Sequence, residues 1–272
     1  MPKRSHGLTG EWGTDMLNRT STKKWLGAVA LVAITGVAAL PVRAELTAAQ
    51  VLERCEKAYG SLKSYKGTSR VETKGDISGM KMTFNTSAKI QFVSPGKIRV
   101  EGTMMTPMMP GRFAFVSDGT HTWETEVSDA SKWKAAQSPM MAIAGFTGVS
   151  QNAATTIPTA LLNLMGGVRY GMLTVAKVSR AAVNGRATYR VDANGVMGGI
   201  ALWIDERTFL LVKKSVHNDM SKFKMPQGVK LPPNMPNVPT SGVTDLTETF
   251  SDVRVNEAVP ASTFARPAGV PK

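Results

Sequence analysis

Phe113-Ala114-Phe115-Val116-Ser117-Asp118-Gly119-Thr120-His121-Thr122-Trp123 is the stretch on which the fold turns. Apolar residues stand at alternate positions before an Asp-Gly dipeptide, and Trp123 and Val127 resume the pattern after it. Alternation on both sides of a tight turn specifies a β-hairpin over 112–127. One polar face and one apolar face mean antiparallel strands half-buried on a core.

The same signal extends in both directions. Residues 65–74 mix β-branched and aromatic residues with polar ones. Residues 80–93 place Met80, Met82 and Phe84, then Ala88, Ile90 and Phe92, on one parity. Ser94-Pro95-Gly96 is a turn, and Lys97–Glu101 sets Ile98 and Val100 together. Further strands are expected at 171–180, 186–193, 199–206, 209–218 and 243–255, with Asn184-Gly185 and Asn194-Gly195 as turn dipeptides. Ahead of the strands, residues 47–62 read as one amphipathic helix. Thr47 with Gln50 forms a capping box, and Val51, Leu52, Cys55, Ala58, Tyr59 and Leu62 make one stripe.

The middle breaks the pattern. Residues 135–168 lie between Lys134 and Arg169, carry no charge and are rich in Ala, Met, Gly and Thr. Pro158 to Met165 predicts a short helix with proline in its first turn, ended by Gly166-Gly167. Such a segment is either deep core or a lid over an apolar cavity. Five prolines between Met220 and Gly242 predict an extended loop, and the Pro-rich tail from Ala258 is expected to be tethered by Phe264. The predicted class is mainly β with α: an unclosed antiparallel β-barrel or strongly curved sheet, with helices covering its concave apolar face.

Composition narrows the function. The 272 residues hold 33 Lys+Arg against 20 Asp+Glu, a formal charge of +13, and 42% of them are hydrophobic, too many for a disordered chain. A single cysteine excludes an internal disulfide framework, and three histidines leave little for a His-rich site. Arg19, Lys23 and Lys24 precede an apolar run from Trp25 to Leu40, and Pro41-Val42-Arg43-Ala44 has small residues at the −3 and −1 positions. This predicts a signal peptide over 1–44, cut after Ala44, with Met16 as an alternative start. The run falls short of the roughly 20 residues that span a bilayer. Cutting there removes six basic groups (Lys3, Arg4, Arg19, Lys23, Lys24, Arg43) and two acidic ones (Glu11, Asp15) and leaves one domain over 45–272 with a charge of +9. An exported chain places that charge against anionic lipid, cell-wall polymer or water rather than nucleic acid. Cys55 lacks the small-residue context of a lipidation site and reads as a helix-face residue.

Catalytic signatures are thin. The sequence has no GxSxG, HExxH, GxxxxGK[ST] or GxGxxG. Ser117, Asp118 and His121 crowd a tight turn, a spacing suited to turn chemistry and not to a triad. His217 reads as part of a solvated turn, and Glu124 and Glu126 as the wet face of a strand with Thr122. Methionine is the unusual residue: there are 16. Met104-Met105-Thr106-Pro107-Met108-Met109-Pro110 and Pro139-Met140-Met141 could offer soft thioethers to Cu(I), but no His or Cys stands nearby. An adaptable apolar lining is the better reading of flexible, polarizable side chains.

Five landmarks in order resemble the LolA-type family of periplasmic lipoprotein carriers and its uncharacterised relatives. They are Val51-Leu52-Glu53-Arg54 through Leu62-Lys63-Ser64-Tyr65-Lys66-Gly67; Phe92–Val100; Phe115–Trp123, the most specific; Leu202-Trp203-Ile204-Asp205 to Leu211-Val212-Lys213-Lys214; and Phe250–Val255 with Pro260–Phe264. The resemblance implies a cavity that holds acyl chains of lipoproteins or another lipid, no cofactor, no metal and no catalysis, in a monomer that meets a membrane-bound donor or acceptor protein in the periplasm. Met82, Phe84, Phe92, Ile98, Val100, Phe113, Phe115 and Trp123 are the expected lining. Met104, Met105, Met108, Met109, Met140, Met141, Leu161 and Leu164 are the expected lid. The chain departs from the family at Ser94, where carriers have a basic residue before the proline that helps hold the lid closed. The methionine density and the proline loop are additional. An envelope-stress sensor of the same fold, binding lipoproteins and a membrane partner, and a Met-rich Cu(I) protein stay open beside the carrier; an enzyme comes last.

Overall fold

The computed structural model describes residues 45–77, 79–105, 111–126, 129–222 and 242–270. The expected signal peptide, Met108, Met109, Val127 and nearly all of the proline loop lie outside them.

The chain opens with α1 (Ala48–Gly60). Its capping box is formed as the sequence predicts: Gln50 N–H donates to Thr47 Oγ1 at 3.2 Å, and Thr47 N–H donates to Gln50 Oε1 at 2.9 Å. Val51, Leu52, Cys55 and Tyr59 form its buried stripe. Six strands follow: β1 (Ser64–Ile77), β2 (Met80–Val93), β3 (Lys97–Met105), β4 (Gly111–Asp118), β5 (Thr122–Thr125) and β6 (Trp133–Ala136). Then come α2 (Pro139–Thr147), α3 (Thr156–Leu162) and a 3-10 turn (Gly167–Arg169). Five strands return: β7 (Met172–Val183), β8 (Arg186–Gly195), β9 (Gly199–Asp205), β10 (Leu211–Asp219) and β11 (Gly242–Val255). No helix among the described residues is long and apolar enough to cross a membrane.

All eleven strands make one antiparallel sheet in the order β6-β5-β4-β3-β2-β1-β11-β10-β9-β8-β7. Sequential pairing builds one half from β1 outward to β6. The helical excursion carries the chain to the far edge, and β7 to β11 return until the last strand pairs with the first. The edge strands β6 and β7 do not pair with each other, so the sheet is unclosed as expected.

Three expectations are corrected. β6 and α2 are elements that the sequence reading did not separate from the charge-free middle. Ser138 caps α2, its Oγ accepting from Met141 N–H at 3.3 Å, and Pro139 fills the first turn. α3 ends before Gly166-Gly167, because Asn163 takes the left-handed conformation (φ 50°) that stops it. Asn194-Gly195 is the end of β8, whereas Asn184-Gly185 is the β7–β8 turn, with both residues at positive φ.

The helices pack on one face of the sheet. Even residues of β2 and β3 point to it, together with odd residues of β1 and β4. α2 lies over β4, β5 and β6 and seats Phe146 against Phe113 and Phe115, with ring centroids 5.6 and 6.4 Å apart. α1 contacts β7 and β8, and its Tyr59 ring lies 6.5 Å from Tyr65. Gly102 and Gly67 leave room for aromatic neighbours: a Cβ at either position would overlap the ring of Phe113 or Tyr65. A smaller cluster lies on the opposite face, where the tail residue Phe264 packs on Val116 and Trp123 as a tether.

Candidate functional site

Strand register arranges the helix-covered face in rows across the sheet. One row reads Lys214, Glu248, Val71, Thr86, Met104. The next reads Val216, Leu246, Thr73, Phe84, and the one after it Asn218, Thr244, Gly75, Met82. Burial falls off from each row to the next. Ala88, Ile90 and Phe92 are buried on β2, but Phe84 and Met82 are half-buried and Met80 is 63% exposed. On β3, Ile98 and Val100 are buried and Met104 is half-buried. The face is therefore packed at the α1 end and opens toward the β1–β2 turn.

Two hydroxyls mark the transition. Thr73 Oγ1 and Thr86 Oγ1 are buried and have no hydrogen-bond partner among the described residues. Thr73 stands opposite Phe84, and Thr86 opposite Met104. Buried hydroxyls are ordinarily paired, and an unpaired one costs about 1–3 kcal/mol. The open end thus combines flexible apolar side chains with polar capacity that the described residues leave unused.

Beside it sits a buried charged group that the sequence reading missed. Glu248 is fully buried and Lys214 is nearly so. Ser69 Oγ donates to Glu248 Oε1 at 2.6 Å, and Thr156 Oγ1 donates to Oε2 at 2.6 Å. Lys214 Nζ donates to the same Thr156 hydroxyl at 3.4 Å and lies 5.5 Å from the centre of the Tyr170 ring. Thr156 begins α3, so a hydroxyl-bridged ion pair ties the helical layer to β10 and β11. Burial raises the Glu248 carboxyl above its usual range, opposed by the Lys214 charge and the two hydroxyl donors. Burial also lowers the Lys214 ammonium, opposed by Glu248. Tyr59 and Tyr65 are both raised by burial and then by neighbouring groups. The signal was present in the sequence. Glu248 shares parity with Leu246 and Phe250, and Lys214 shares it with Val212 and Val216, so each charge sits in an apolar row.

The expected site residues divide. Phe92, Ile98, Val100, Phe113, Phe115 and Leu161 are buried in the main core, and Leu164 packs against it. Met82, Phe84 and Met104 line the open end. Trp123 is not on this face: register sets Phe115 opposite Glu124 and Val116 opposite Trp123, so the indole joins the tail cluster. Glu124 is correspondingly on the helix-covered side, paired with Lys134 at 3.3 Å, and not on the wet face. Met105 points away from Met104 and is 69% exposed, so the two thioethers do not share a site. Met140 and Met141 are exposed in the first turn of α2. No group of three or more His, Cys, Asp or Glu able to hold a metal occurs among the described residues.

The hairpin residues serve the turn. Asp118 Oδ1 accepts from Thr120 N–H at 2.8 Å and His121 N–H at 2.7 Å, and Ser117 Oγ accepts from Gly119 N–H. His217 lies within β10 and not in a turn, and its Nδ1 is 2.8 Å from Asp245 Oδ1 on the exposed side.

No protein-family model matches the chain, and no curated protein matches it. Among solved structures it is similar to a LolA superfamily protein from Nitrosomonas europaea, at 13% identity, 82% of this chain and 99% of that one, TM-score 0.33. It is similar to LprF from Mycobacterium bovis at 16% identity, 82% and 97% coverage, TM-score 0.39. It is also similar to the Pseudomonas aeruginosa MucA/MucB complex at 14% identity, 81% and 61% coverage, TM-score 0.36. The LolA superfamily that the landmark order resembles is thus represented among these similar structures, at low identity throughout.

Proposed function

We propose that this chain is a periplasmic carrier or binding protein for a lipidated or lipid-like ligand, and that it acts without catalysis or cofactor. The acyl portion lodges at the open end of the helix-covered face, against Met82, Phe84 and Met104. One observation carries the reading: the strand rows pass from full burial to half-burial at methionine and phenylalanine, next to two buried hydroxyls with no partner among the described residues. Methionine adapts to a flexible guest, and each square ångström of apolar surface removed from water contributes roughly 25 cal/mol. Polar atoms near an acyl linkage, such as an ester or amide carbonyl, would accept from Thr73 and Thr86. The chain would receive its cargo after export and release it to a membrane-bound acceptor.

The test is native mass spectrometry of the protein recovered from a periplasmic extract, followed by organic extraction. An acylated species in the extract is the expected result. A ligand-free mass, together with no uptake of an added fatty acid, would overturn the carrier reading and leave an interaction module in its place.

A further inference from the structure

The face of the sheet turned away from the helices has its own order. Register aligns Lys213, Thr249, Arg70, Ser87, Thr103 and Arg112 in one row from β10 to β4. Neighbouring strands are about 4.8 Å apart, so this row of cations and hydroxyls spans roughly 24 Å. Two concavities open on it, of about 400 Å³ and 260 Å³, and they meet at Ser87 and Thr103, which line both. The larger also takes in Lys89, Arg112, Thr125 and the half-buried Trp133. The smaller adds Arg70, Glu72, Asn85, Met105, Thr247 and Thr249, and Lys74 pairs with the Glu72 carboxylate at 2.7 Å.

Charge in the larger concavity is unbalanced. Glu101 is the acidic residue in its wall, and Arg99 engages that carboxylate, Nε donating to Oε1 at 2.8 Å. Lys89 and Arg112 have no ion-pair partner among the described residues. Arg70 leans the other way, toward Ser251 and Asp252. The result is a groove with two uncommitted cations, a line of hydroxyls and an amide, and an indole at one end.

We propose that this groove binds an anionic glycan, a chain of carboxylate-bearing sugars. Hydroxyls and the Asn85 amide match sugar hydroxyls in both donor and acceptor sense. The Trp133 ring offers an apolar platform for a sugar face. Lys89 and Arg112 match the carboxylates, arginine in bidentate fashion. A peptide fits less well: extended peptides bind by adding to an exposed strand edge, and this groove runs over the face of β11 to β5, each paired on both sides, and reaches the edge strand β6 only through the Trp133 side chain. The groove is on the opposite face from the open apolar end, so the two proposals stand or fall separately.

Calorimetric titration of the full chain with hexagalacturonate, at low and at physiological salt, tests this, with a neutral glucose hexasaccharide and hexaglutamate as comparators. Hexagalacturonate is expected to bind at both salt concentrations, at least tenfold tighter than either comparator. Lys89→Glu with Arg112→Glu should weaken it at least tenfold, while Lys177→Glu with Arg180→Glu, the same charge change on edge strand β7, should leave it unchanged. Trp133 also packs on the tail cluster, so Trp133→Phe serves beside Trp133→Ala; the first should retain binding and the second lose it. Equal binding of hexaglutamate would overturn the proposal in favour of an acidic peptide or general charge attraction. Absence of hexagalacturonate binding, or equal effects of the Lys89/Arg112 and Lys177/Arg180 variants, would also overturn it.

Discussion

Lys214→Met probes the buried charge that anchors the helical layer. In the parent chain Lys214 and Glu248 are joined through the Thr156 hydroxyl, with steps of 3.4 and 2.6 Å. That bridge holds the two charges within about 6 Å, and at an effective dielectric of about 20 the coupling is at least about 3 kcal/mol. Removing the cation leaves Glu248 buried with two hydroxyl donors and no positive charge. We expect the unfolding free energy to drop by about 3 kcal/mol at neutral pH, at the low end of the roughly 3–5 kcal/mol seen when a buried pair loses one member. The pH dependence has a definite sign. Burial raises Glu248 in the folded chain, so the folded state keeps its proton in a window where the unfolded state has released it. Stability then falls as pH rises through that window, by at most about 1.4 kcal/mol per pH unit for one proton. The Lys214 charge pulls Glu248 down, so its loss extends the window upward. In the parent, the lowered Lys214 acts in the opposite sense: its stabilisation is lost as pH falls through its folded pKa. Urea unfolding from about pH 5 to about pH 8 reads the Glu248 effect. The variant should lose stability progressively across the range, and Lys214→Met with Glu248→Gln should recover most of it and show a flat profile. A Lys214→Met profile that runs parallel to the parent would refute the reasoning, because Glu248 would then titrate independently of Lys214.

Other outcomes follow from single contacts. Phe146→Ala removes the ring that holds α2 on Phe113 and Phe115, and should cost about 3–5 kcal/mol in urea unfolding. Gly102→Ala places a methyl in the Phe113 ring and should cost about 1–3 kcal/mol, with partial relief when Phe113→Leu is added. Thr86→Val replaces a buried, unpartnered hydroxyl and should raise stability by up to about 1 kcal/mol by the same unfolding assay. Cys55 is fully buried and its thiol is raised by desolvation and by Glu56, so it should resist a thiol reagent in the folded chain and react at once in urea.

Much of the architecture was legible because local and global signals agree. The Thr47/Gln50 box, the stripe from Val51 to Tyr59 and the even parity of Ala88, Ile90 and Phe92 each state one answer, and the folded chain uses all of them. Parity within a strand was readable; parity across a hairpin was not. Counting from Phe115 to Trp123 gives an even spacing, yet the turn from Asp118 to His121 pairs Ser117 with Thr122 and sends Trp123 to the other side. α2 was hidden because Met140 to Thr147 is apolar all round, which removes helical periodicity, and its cap at Ser138 was the one signal left. Glu248 and Lys214 were hidden for a different reason. Each stands at the apolar parity of its strand, which marks it as out of place, but only the register of β10 on β11 sets the two charges side by side.

Met104 and Met105 are chain neighbours that look to opposite faces, which makes them the most direct test of where a hydrophobic ligand binds. The measurement is titration of a fluorescent fatty-acid probe into the parent chain, Met104→Glu and Met105→Glu. Met105 is 69% exposed and Met104 is half-buried, so urea unfolding of Met104→Glu accompanies the titration to show that the variant is folded. The account predicts uptake by the parent, retention in Met105→Glu and at least a tenfold loss in Met104→Glu. Equal losses in both variants, or a loss confined to Met105→Glu, would contradict it.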